Sequence, residues 1–292
     1  MDAEQAALGK YFGAYRQARH VTLAALAPGK ESAVSRFCAG KNGLALAQFH
    51  HVMARIGLRY RDLDDDFERF GSPFTHAAQS MIANRYAPTS AGVATLVNQY
   101  HLATVHAQGP IAKLNQALFD HIQQVVAKQQ MVLLPEQCQV QIEQILSANS
   151  DWLIYDYLLL RLSLGYLDTE RIVGCYQLLH KQLPTLQAGY QRYANDVVTQ
   201  VGVILLVRQV PTALPHYVTD LQALRVNGYA FEDSLMLNFL QRLYGDLRIE
   251  HFDDVALADF RQTIDVLELR EIEAYCRTIM ALAAGATKGV VL

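Results

Sequence analysis

Helical segments separated by turn signals recur along most of this 292-residue chain. From residue 74 onward, no stretch alternates apolar and polar residues as a half-buried strand does. Turn-forming pairs such as Gly109-Pro110 and Leu134-Pro135 instead interrupt the chain, mostly leaving segments of roughly 12–22 residues between them. Since short turns join antiparallel helices, the pattern predicts about ten or eleven helices that pair as hairpins and stack as an α-solenoid.

The composition and the hydrophobic runs of the chain indicate its cellular location. Hydrophobic residues make up 51% and charged residues 18%, which is typical of an apolar globular protein. The longest apolar run, from Val201 to Val207, is far shorter than the ~20 residues that cross a bilayer. The first residues, MDAEQ, are acidic and do not resemble a signal peptide. We therefore expect a cytoplasmic protein without a membrane partner.

The four cysteines, Cys38, Cys138, Cys175 and Cys276, are far apart in sequence and show no spacing typical of metal ligands. We expect reduced thiols, no zinc site and no cofactor. Cys38 ends a predicted helix at which two copies of the chain could meet. An inter-subunit disulfide at Cys38 is therefore a hypothesis, although a reducing cytosol argues against it.

Residues 22–41, TLAALAPGKESAVSRFCAGK, predict two short helices joined by a tight turn. Thr22 can cap the first helix, and Pro28-Gly29 ends it. The second helix is expected over residues 31–38, with Gly40 closing it. Its core side would carry Val34 and Phe37, and that of the first helix would carry Ala24, Leu26 and Ala27. This layout is typical of a helix-turn-helix, although any small helical domain can contain two linked surface helices.

Further helices are predicted around this pair, over residues 4–19 and 45–56, with Leu46, Phe49, Met53 and Ile56 facing inward in the second of them. A fifth segment over residues 61–70 leads to Gly71-Ser72-Pro73, a plausible boundary. The sequence thus predicts an all-α protein: a helix-turn-helix domain in residues 1–70 and a helical-repeat domain in residues 71–292.

Charge differs between the two parts of the chain. Residues 1–61 hold nine Lys and Arg against three Asp and Glu, a net charge of +6. The other 231 residues hold 16 against 25, a net charge of −9. A basic first part suits contact with phosphates, although chance clustering explains such a distribution equally well.

The run Val34-Ser35-Arg36-Phe37, followed by Gly40-Lys41, resembles the recognition-helix motif of the Rgg/MutR/GadR family of transcriptional regulators. Residues 151–156, DWLIYD, are similar to a Trp-x-x-Tyr-Glu segment in the helical domain of that family. The resemblance implies a homodimeric transcriptional regulator. Its tetratricopeptide-like repeats would bind a short hydrophobic signalling peptide (quorum sensing), and its helix-turn-helix would bind double-stranded promoter DNA.

Three positions depart from the family pattern. Lys30, Ala33 and Cys38 stand where the family commonly has Ser, Gln and an acidic residue. Gln can read adenine through two hydrogen bonds, and Ala cannot. One alternative is therefore a peptide-responsive protein-interaction scaffold without DNA readout, and another is a regulator that needs no ligand.

Candidate DNA contacts lie on or beside the second helix of residues 22–41. Arg36 can bond a guanine edge or a phosphate, although an ion pair with Glu31 would also explain it. Hydroxyl groups and lysines nearby can bind phosphates. The candidate DNA-binding residues are Arg19, Lys30, Ser32, Ser35, Arg36 and Lys41.

A peptide ligand would need hydrogen-bonding side chains and apolar pockets on the concave face of the solenoid. Polar and aromatic residues at the expected helix positions give the candidates, although most such residues bond between helices. The candidate peptide-binding residues are Asn84, Arg85, Tyr86, Tyr155, Arg161, Asn195, Arg208, Asn238 and Arg242.

Catalytic and metal-binding patterns are not found in the sequence. The adjacent His50 and His51 would point about 100° apart on a helix, so they cannot readily share one ion. No Ser-His-Asp set or phosphate-binding glycine loop is present. We therefore expect a protein that is not an enzyme.

Overall fold

The computed structural model describes residues 3–58, 72–86, 88–148, 151–187, 189–214, 216–224 and 231–285, with side chains from residue 6 onward. These residues form helices and connecting turns without any strand, so the predicted all-α fold is confirmed. The chain divides into two compact units, Met1–Ser72 and Pro73–Leu292. Most of the predicted segment over residues 61–70, and Gly71 after it, lie outside the described residues.

The smaller unit contains four described helices: α1 (Ala3–Ala18), α2 (Leu23–Leu26), α3 (Glu31–Cys38) and α4 (Leu46–Ile56). Its core is aromatic, because the ring of Phe12 lies 5.6 Å from that of Phe37 and 5.0 Å from that of Phe49. Val34 and Phe37 are buried on the inner side of α3, as predicted. The rigid aromatic cluster fixes the orientation of α3 against α1 and α4.

The helix-turn-helix has the predicted caps. The hydroxyl of Thr22 accepts a hydrogen bond from the backbone N–H of Ala25 at 3.1 Å. Gly29 and Gly40 have φ angles of 75° and 68°, and they close the turn and the end of α3. The two short helices and the turn between them are therefore confirmed.

Two predicted core positions in this unit are wrong. Ala24 is exposed, because the short helix α2 buries only the side on which Leu26 lies. Leu46 is 71% exposed, since α4 begins there, almost two turns before the buried positions Val52 and Met53. The first residue of a helix can extend beyond the core although its spacing fits the buried face.

Two glycines of α1 let it approach α3 at backbone distance. A Cβ atom at Gly9 would lie only 1.9 Å from the carbonyl oxygen of Phe37. One at Gly13 would lie 2.9 Å from the carbonyl oxygen of Cys38. Because no side chain fits between the helices, this contact sets how far α3 stands from the core and which side faces outward.

The larger unit contains eleven described α-helices. They are α5 (Pro73–Ala83), α6 (Ser90–Ala103), α7 (Pro110–Lys128), α8 (Glu136–Ala148), α9 (Ile154–Ser163), α10 (Thr169–Gln182), α11 (Gln191–Val207), α12 (Tyr217–Ala223), α13 (Phe231–Gly245), α14 (Ala258–Val266) and α15 (Arg270–Ala283). Most helices pack against their neighbour in the chain, as hairpins do. None of the described helices is both long and apolar enough to span a bilayer.

Helix α11 lies in the middle of the larger unit. It packs against α9, α10, α12, α13 and α15. No side chain from Tyr193 to Leu205 is exposed. A helix buried on all sides is expected to be apolar, yet α11 carries Asn195, Asp196 and Gln200. These polar groups mark the place where the unit encloses a cavity.

We predict opposite effects for two glycine-to-alanine substitutions inside helices. Gly9→Ala should destabilise the smaller unit by about 1–3 kcal/mol, because the new methyl group overlaps the backbone of α3. Gly174→Ala, in α10, meets no atom within 4 Å and should stabilise its unit by about 0.5–1 kcal/mol through helix propensity. Scanning calorimetry of both variants measures the changes. Equal effects would contradict the close α1–α3 contact.

Candidate functional site

The outward side of α3 is polar and open. Ser32, Ser35 and Arg36 are exposed, and residues four apart, such as Ser32 and Arg36, lie one helical turn from each other. The inner side is filled by Val34 and Phe37. The helix thus presents two hydroxyls and a guanidinium in one stripe, as the sequence predicts.

Arg36 does not pair with Glu31. The Glu31 carboxylate instead accepts a hydrogen bond from the backbone N–H of Gly29 at 2.9 Å. Hydrogen bonds from the backbone N–H groups of Glu31 itself and of Gly29 lower the pKa of that carboxyl. Within the described parts of the chain, the side chain of Arg36 makes no hydrogen bond or ion pair. Its guanidinium is available to an external acceptor.

Two lysines flank this stripe. Lys30 precedes α3 and Lys41 follows it, and both are exposed. Neither has a described partner in this unit. Together with Arg36 they place three cations along the outward side, where a polyanion would be attracted.

Two other arginines of the smaller unit have structural partners. Arg19 donates to the carbonyl of Ile56, and its guanidinium lies 4.6 Å from the ring centre of Tyr15. Arg55 donates to the carbonyls of Ala25 and Leu26, at 3.3 and 3.1 Å. These bonds cap the ends of α4 and α2. A phosphate contact of Arg19 stays a prediction, and the sequence analysis missed the capping role of Arg55.

Cys38 is half-buried beside Gly13. Burial raises the pKa of its thiol, although the nearby Arg16 offsets part of the effect. A raised pKa disfavours the thiolate, the form that reacts to give a disulfide. The inter-subunit disulfide stays a hypothesis.

The larger unit encloses two adjoining cavities. The polar chamber, about 430 Å³ of space partly open to solvent, is lined by residues of α9, α11, α13 and α15 and by Arg85 and Tyr86 after α5. The apolar chamber, about 680 Å³, is lined mainly by aliphatic side chains of α5, α6, α7 and α9. Arg85, Arg161, Gln200 and Tyr275 line both. Their enclosed volumes are small, about 20 Å³ in the polar chamber and 90 Å³ in the apolar chamber, so as they stand they have room for a few water molecules.

Two ion pairs stand in the wall of the polar chamber. Arg85 donates to Asp233, and Arg161 Nε donates to Asp196 Oδ2 at 3.0 Å. The four side chains are only 10–21% exposed. Burial raises the pKa of Asp233, although Arg85 acts in the opposite direction. Two positive and two negative charges face each other, so the chamber is polar but carries no large net charge.

Asn195 supplies an unused hydrogen-bond donor. The residue is 3% exposed, and its Nδ2 atom has no partner among the described residues. Thr199 and Gln200, four and five positions further along α11, also line the chamber, and their side chains make no hydrogen bond to the described residues. An unpaired buried amide costs about 1–3 kcal/mol. Such a group is expected where a ligand completes the hydrogen bonding.

The structure brings four of the nine predicted peptide-binding residues together in the polar chamber: Arg85, Tyr86, Arg161 and Asn195. Asn84 lines a neighbouring cavity of about 780 Å³, between α5 and α6, and its side chain also donates to the carbonyl of Ser80 at 2.8 Å.

Four other candidates line neither chamber, and each has a structural partner. Tyr155 donates to Asn115 Oδ1 at 2.9 Å. Arg208 donates to the carbonyls of Gly165 and Leu167 and so holds the turn after α9. Arg242 donates to Asn238 Oδ1 at 2.9 Å, one helical turn away. These residues stabilise the walls and turns of the unit.

Sequence reasoning missed several residues of the polar chamber, namely Asp196, Thr199, Gln200, Asp233 and Tyr275. One signal was available: polar residues at 195, 196, 199 and 200 interrupt the otherwise apolar helix α11 on one side. Metal binding finds no support in the described residues, which contain no group of three or more His, Cys, Asp or Glu suited to an ion.

This arrangement defines a class of protein: a helix-turn-helix unit joined in one chain to a helical-repeat unit with an internal cavity. Among solved structures, the chain is similar to the SHP pheromone receptor Rgg2 of Streptococcus dysgalactiae, with a TM-score of 0.63 and 14% identity over 96% of this chain and 100% of that one. A cysteine-to-serine variant of that receptor gives 0.66 and 12% identity over 93% and 96%.

A candidate transcriptional regulator from Listeria monocytogenes is also similar, with a TM-score of 0.67 and 13% identity over 95% of this chain and 97% of that one. At such low identity the likeness establishes the fold, so this chain has the Rgg fold, as the motif resemblance implies. No protein-family model matches the chain, and no curated protein is significantly similar to it in sequence.

We predict that Asn195→Leu stabilises the ligand-free protein by about 1 kcal/mol, because it removes an unpaired buried amide. The matched control is Asn115→Leu. That side chain is 5% exposed but accepts the hydroxyl of Tyr155, so its loss should cost about 1–3 kcal/mol. Urea unfolding measures both. If Asn195→Leu lost as much stability as Asn115→Leu, the amide of Asn195 would be hydrogen-bonded in solution.

Proposed function

We propose that this protein is a cytoplasmic DNA-binding transcriptional regulator controlled by a short hydrophobic peptide. The observation that carries the proposal is the combination of an unpaired, outward-facing α3 stripe with a cavity that contains an unused buried donor, within an Rgg fold. One structural neighbour is described as a pheromone receptor and another as a candidate transcriptional regulator, which supports both halves.

DNA contact would use α3 in the major groove. Arg36 would bond a guanine edge or a phosphate, and Ser32 and Ser35 would donate to phosphates or bases. Lys30 and Lys41 would bind the backbone on either side. The net charge of +6 over residues 1–61 supports this orientation.

Peptide binding would use both chambers. Apolar side chains of the peptide would enter the apolar chamber among Met81, Ile82, Val93 and Ile122. Backbone carbonyls would accept the unused donor of Asn195 in the polar chamber. A neutral, mainly apolar peptide fits a site whose own charges are already paired.

Regulation would follow from differential binding. A peptide that fits one arrangement of the larger unit better than another shifts the population toward it. We propose that the protein is a homodimer and that this shift changes how well its two helix-turn-helix units bind half-sites about one helical turn, ~34 Å, apart.

Arg36→Ala tests the DNA half. The variant should bind a fragment of the promoter upstream of its own operon about 5–150-fold more weakly, because each base or phosphate contact of this kind contributes about 1–3 kcal/mol. Fluorescence anisotropy at several salt concentrations measures the affinity. The control is Arg248→Ala in the larger unit, where the side chain is 90% exposed and should not contact DNA. Wild-type protein without salt-dependent binding would contradict the proposal.

The second candidate function is a peptide-responsive protein-interaction scaffold without DNA readout. It is favoured by Ala33, which is half-buried and cannot bond a base edge, and by Lys30 before it. Isolation of a protein partner, together with the absence of DNA binding in the anisotropy measurement, would decide for the scaffold.

The peptide half is tested with synthetic apolar peptides encoded by small reading frames beside the gene. At a hundredfold excess over Kd, a ligand should stabilise the protein by about 2.7 kcal/mol, seen as a higher melting temperature. Asn195→Leu should abolish the shift, and Asn238→Ala, an exposed residue outside both chambers, should preserve it. If none of the peptides shifts the wild type, a ligand-independent regulator becomes the better account.

A further inference from the structure

The polar and apolar chambers are separated by side chains that line both, chiefly Arg85, Arg161, Gln200 and Tyr275. The polar chamber has an enclosed volume of about 20 Å³, room for about one water molecule, and the apolar chamber has about 90 Å³. A peptide can enter only if the two chambers open into each other. The side chains between them therefore decide whether the chambers act as one groove.

Arg85, which lies between the two chambers, bonds to a residue far away in the sequence. It follows α5, and it donates to Asp233 in the first turn of α13, 148 positions later. Its guanidinium also donates to the hydroxyl of Tyr86 and to the carbonyl of Ile82, each at 2.8 Å. The side chain is therefore fully engaged and held in place between the chambers.

Tyr86 makes a second connection to the end of the unit. Its ring meets the ring of Tyr275 in α15 edge to face, with the centroids 5.3 Å apart. The helix α5 itself packs mainly on α6 and α9. Long side chains after α5 thus connect the first helix of the larger unit to α13 and α15, across the cavity.

The other ion pair of the polar chamber joins two helices that already pack directly against each other. Arg161 and Asp196, in α9 and α11, are about as buried as Arg85 and Asp233. Asp196 also acts electrostatically on Arg85, so the two pairs are not independent. Asp220 in α12 gives an independent comparison, because its carboxylate, 12% exposed, is hydrogen-bonded to α10 and lines neither chamber.

We propose that the Arg85–Asp233 ion pair and the Tyr86–Tyr275 ring contact form a clasp that keeps the two chambers separate in the ligand-free protein. Opening the clasp joins the chambers into one groove. The role of the clasp in ligand access rests on the proposed peptide-binding function. Its presence in the ligand-free protein does not depend on that function.

The Arg85–Asp233 ion pair is of a kind that a ligand can open. Both side chains are about four-fifths buried, so removing one partner leaves the other charge poorly compensated. Burial also raises the pKa of Asp233 in spite of Arg85. A ligand oxygen that replaces the carboxylate at Arg85 would offset much of the cost of opening.

Hydrogen exchange of the full, ligand-free chain, read by mass spectrometry, tests the clasp. Asp233→Asn should speed amide exchange in α5 and in the first turns of α13 by about tenfold, since a hydrogen bond to a charged group is lost. Asp233→Glu keeps the carboxylate and should stay near the wild type. Asp220→Asn removes a similarly buried carboxylate far from the clasp, so it is the matched control and should leave α5 unchanged.

Unchanged exchange in α5 of Asp233→Asn, or an equal increase in Asp220→Asn, would overturn the clasp. If Asp233→Asn does not fold, Arg85→Gln breaks the same bond from the other side, with the same two outcomes. Because no ligand is present, a failed clasp leaves the peptide test intact. A failed peptide test alongside the expected exchange pattern would refute the proposed function and retain the clasp.

Discussion

The larger unit depends on the burial of α11. Five other helices pack against this one helix, and from Tyr193 to Leu205 none of its side chains is exposed. Its apolar positions, such as Val197, Val201 and Leu205, form the centre of the core. Its polar positions, among them Asn195 and Gln200, face a cavity instead of a neighbouring helix. A helix of this kind is stable only if the surrounding core offsets the free-energy cost of the unpaired donors. The polar residues that line the cavity therefore lower the stability of the unit.

The smaller unit depends on contacts that hold the short helix α3 with one side exposed to solvent. Eight residues of α3 cannot form a stable helix alone, so its position depends on its neighbours. The glycine contact with α1, the aromatic cluster around Phe12 and the capping arginines supply that support. None of these groups lies on the outward stripe. The outward side can therefore vary in sequence without loss of the fold, which is consistent with the departures at Lys30 and Ala33.

Local patterns in the sequence were enough to predict the helices and the outward side of α3, because periodicity, caps and turn residues act over a few positions. The ends of helices were less certain, as Leu46 shows. Contacts between residues that lie far apart in the chain could not be predicted from one sequence. Asp233 meets Arg85 across 148 positions, and nothing near either residue indicates the other. For the same reason Arg208 and Tyr155 looked like ligand contacts, whereas the fold gives them partners that hold turns and helix pairs together.

The central claim is that one chain couples a peptide site to a DNA site, and coupling of this kind is reciprocal. The most direct measurement is the affinity for the promoter fragment with and without saturating peptide, together with the affinity for the peptide with and without DNA. We predict that both affinities change by the same factor, about 5–150-fold, in the same direction. Peptide affinity that is identical with and without DNA, in a protein that binds both, would contradict the account.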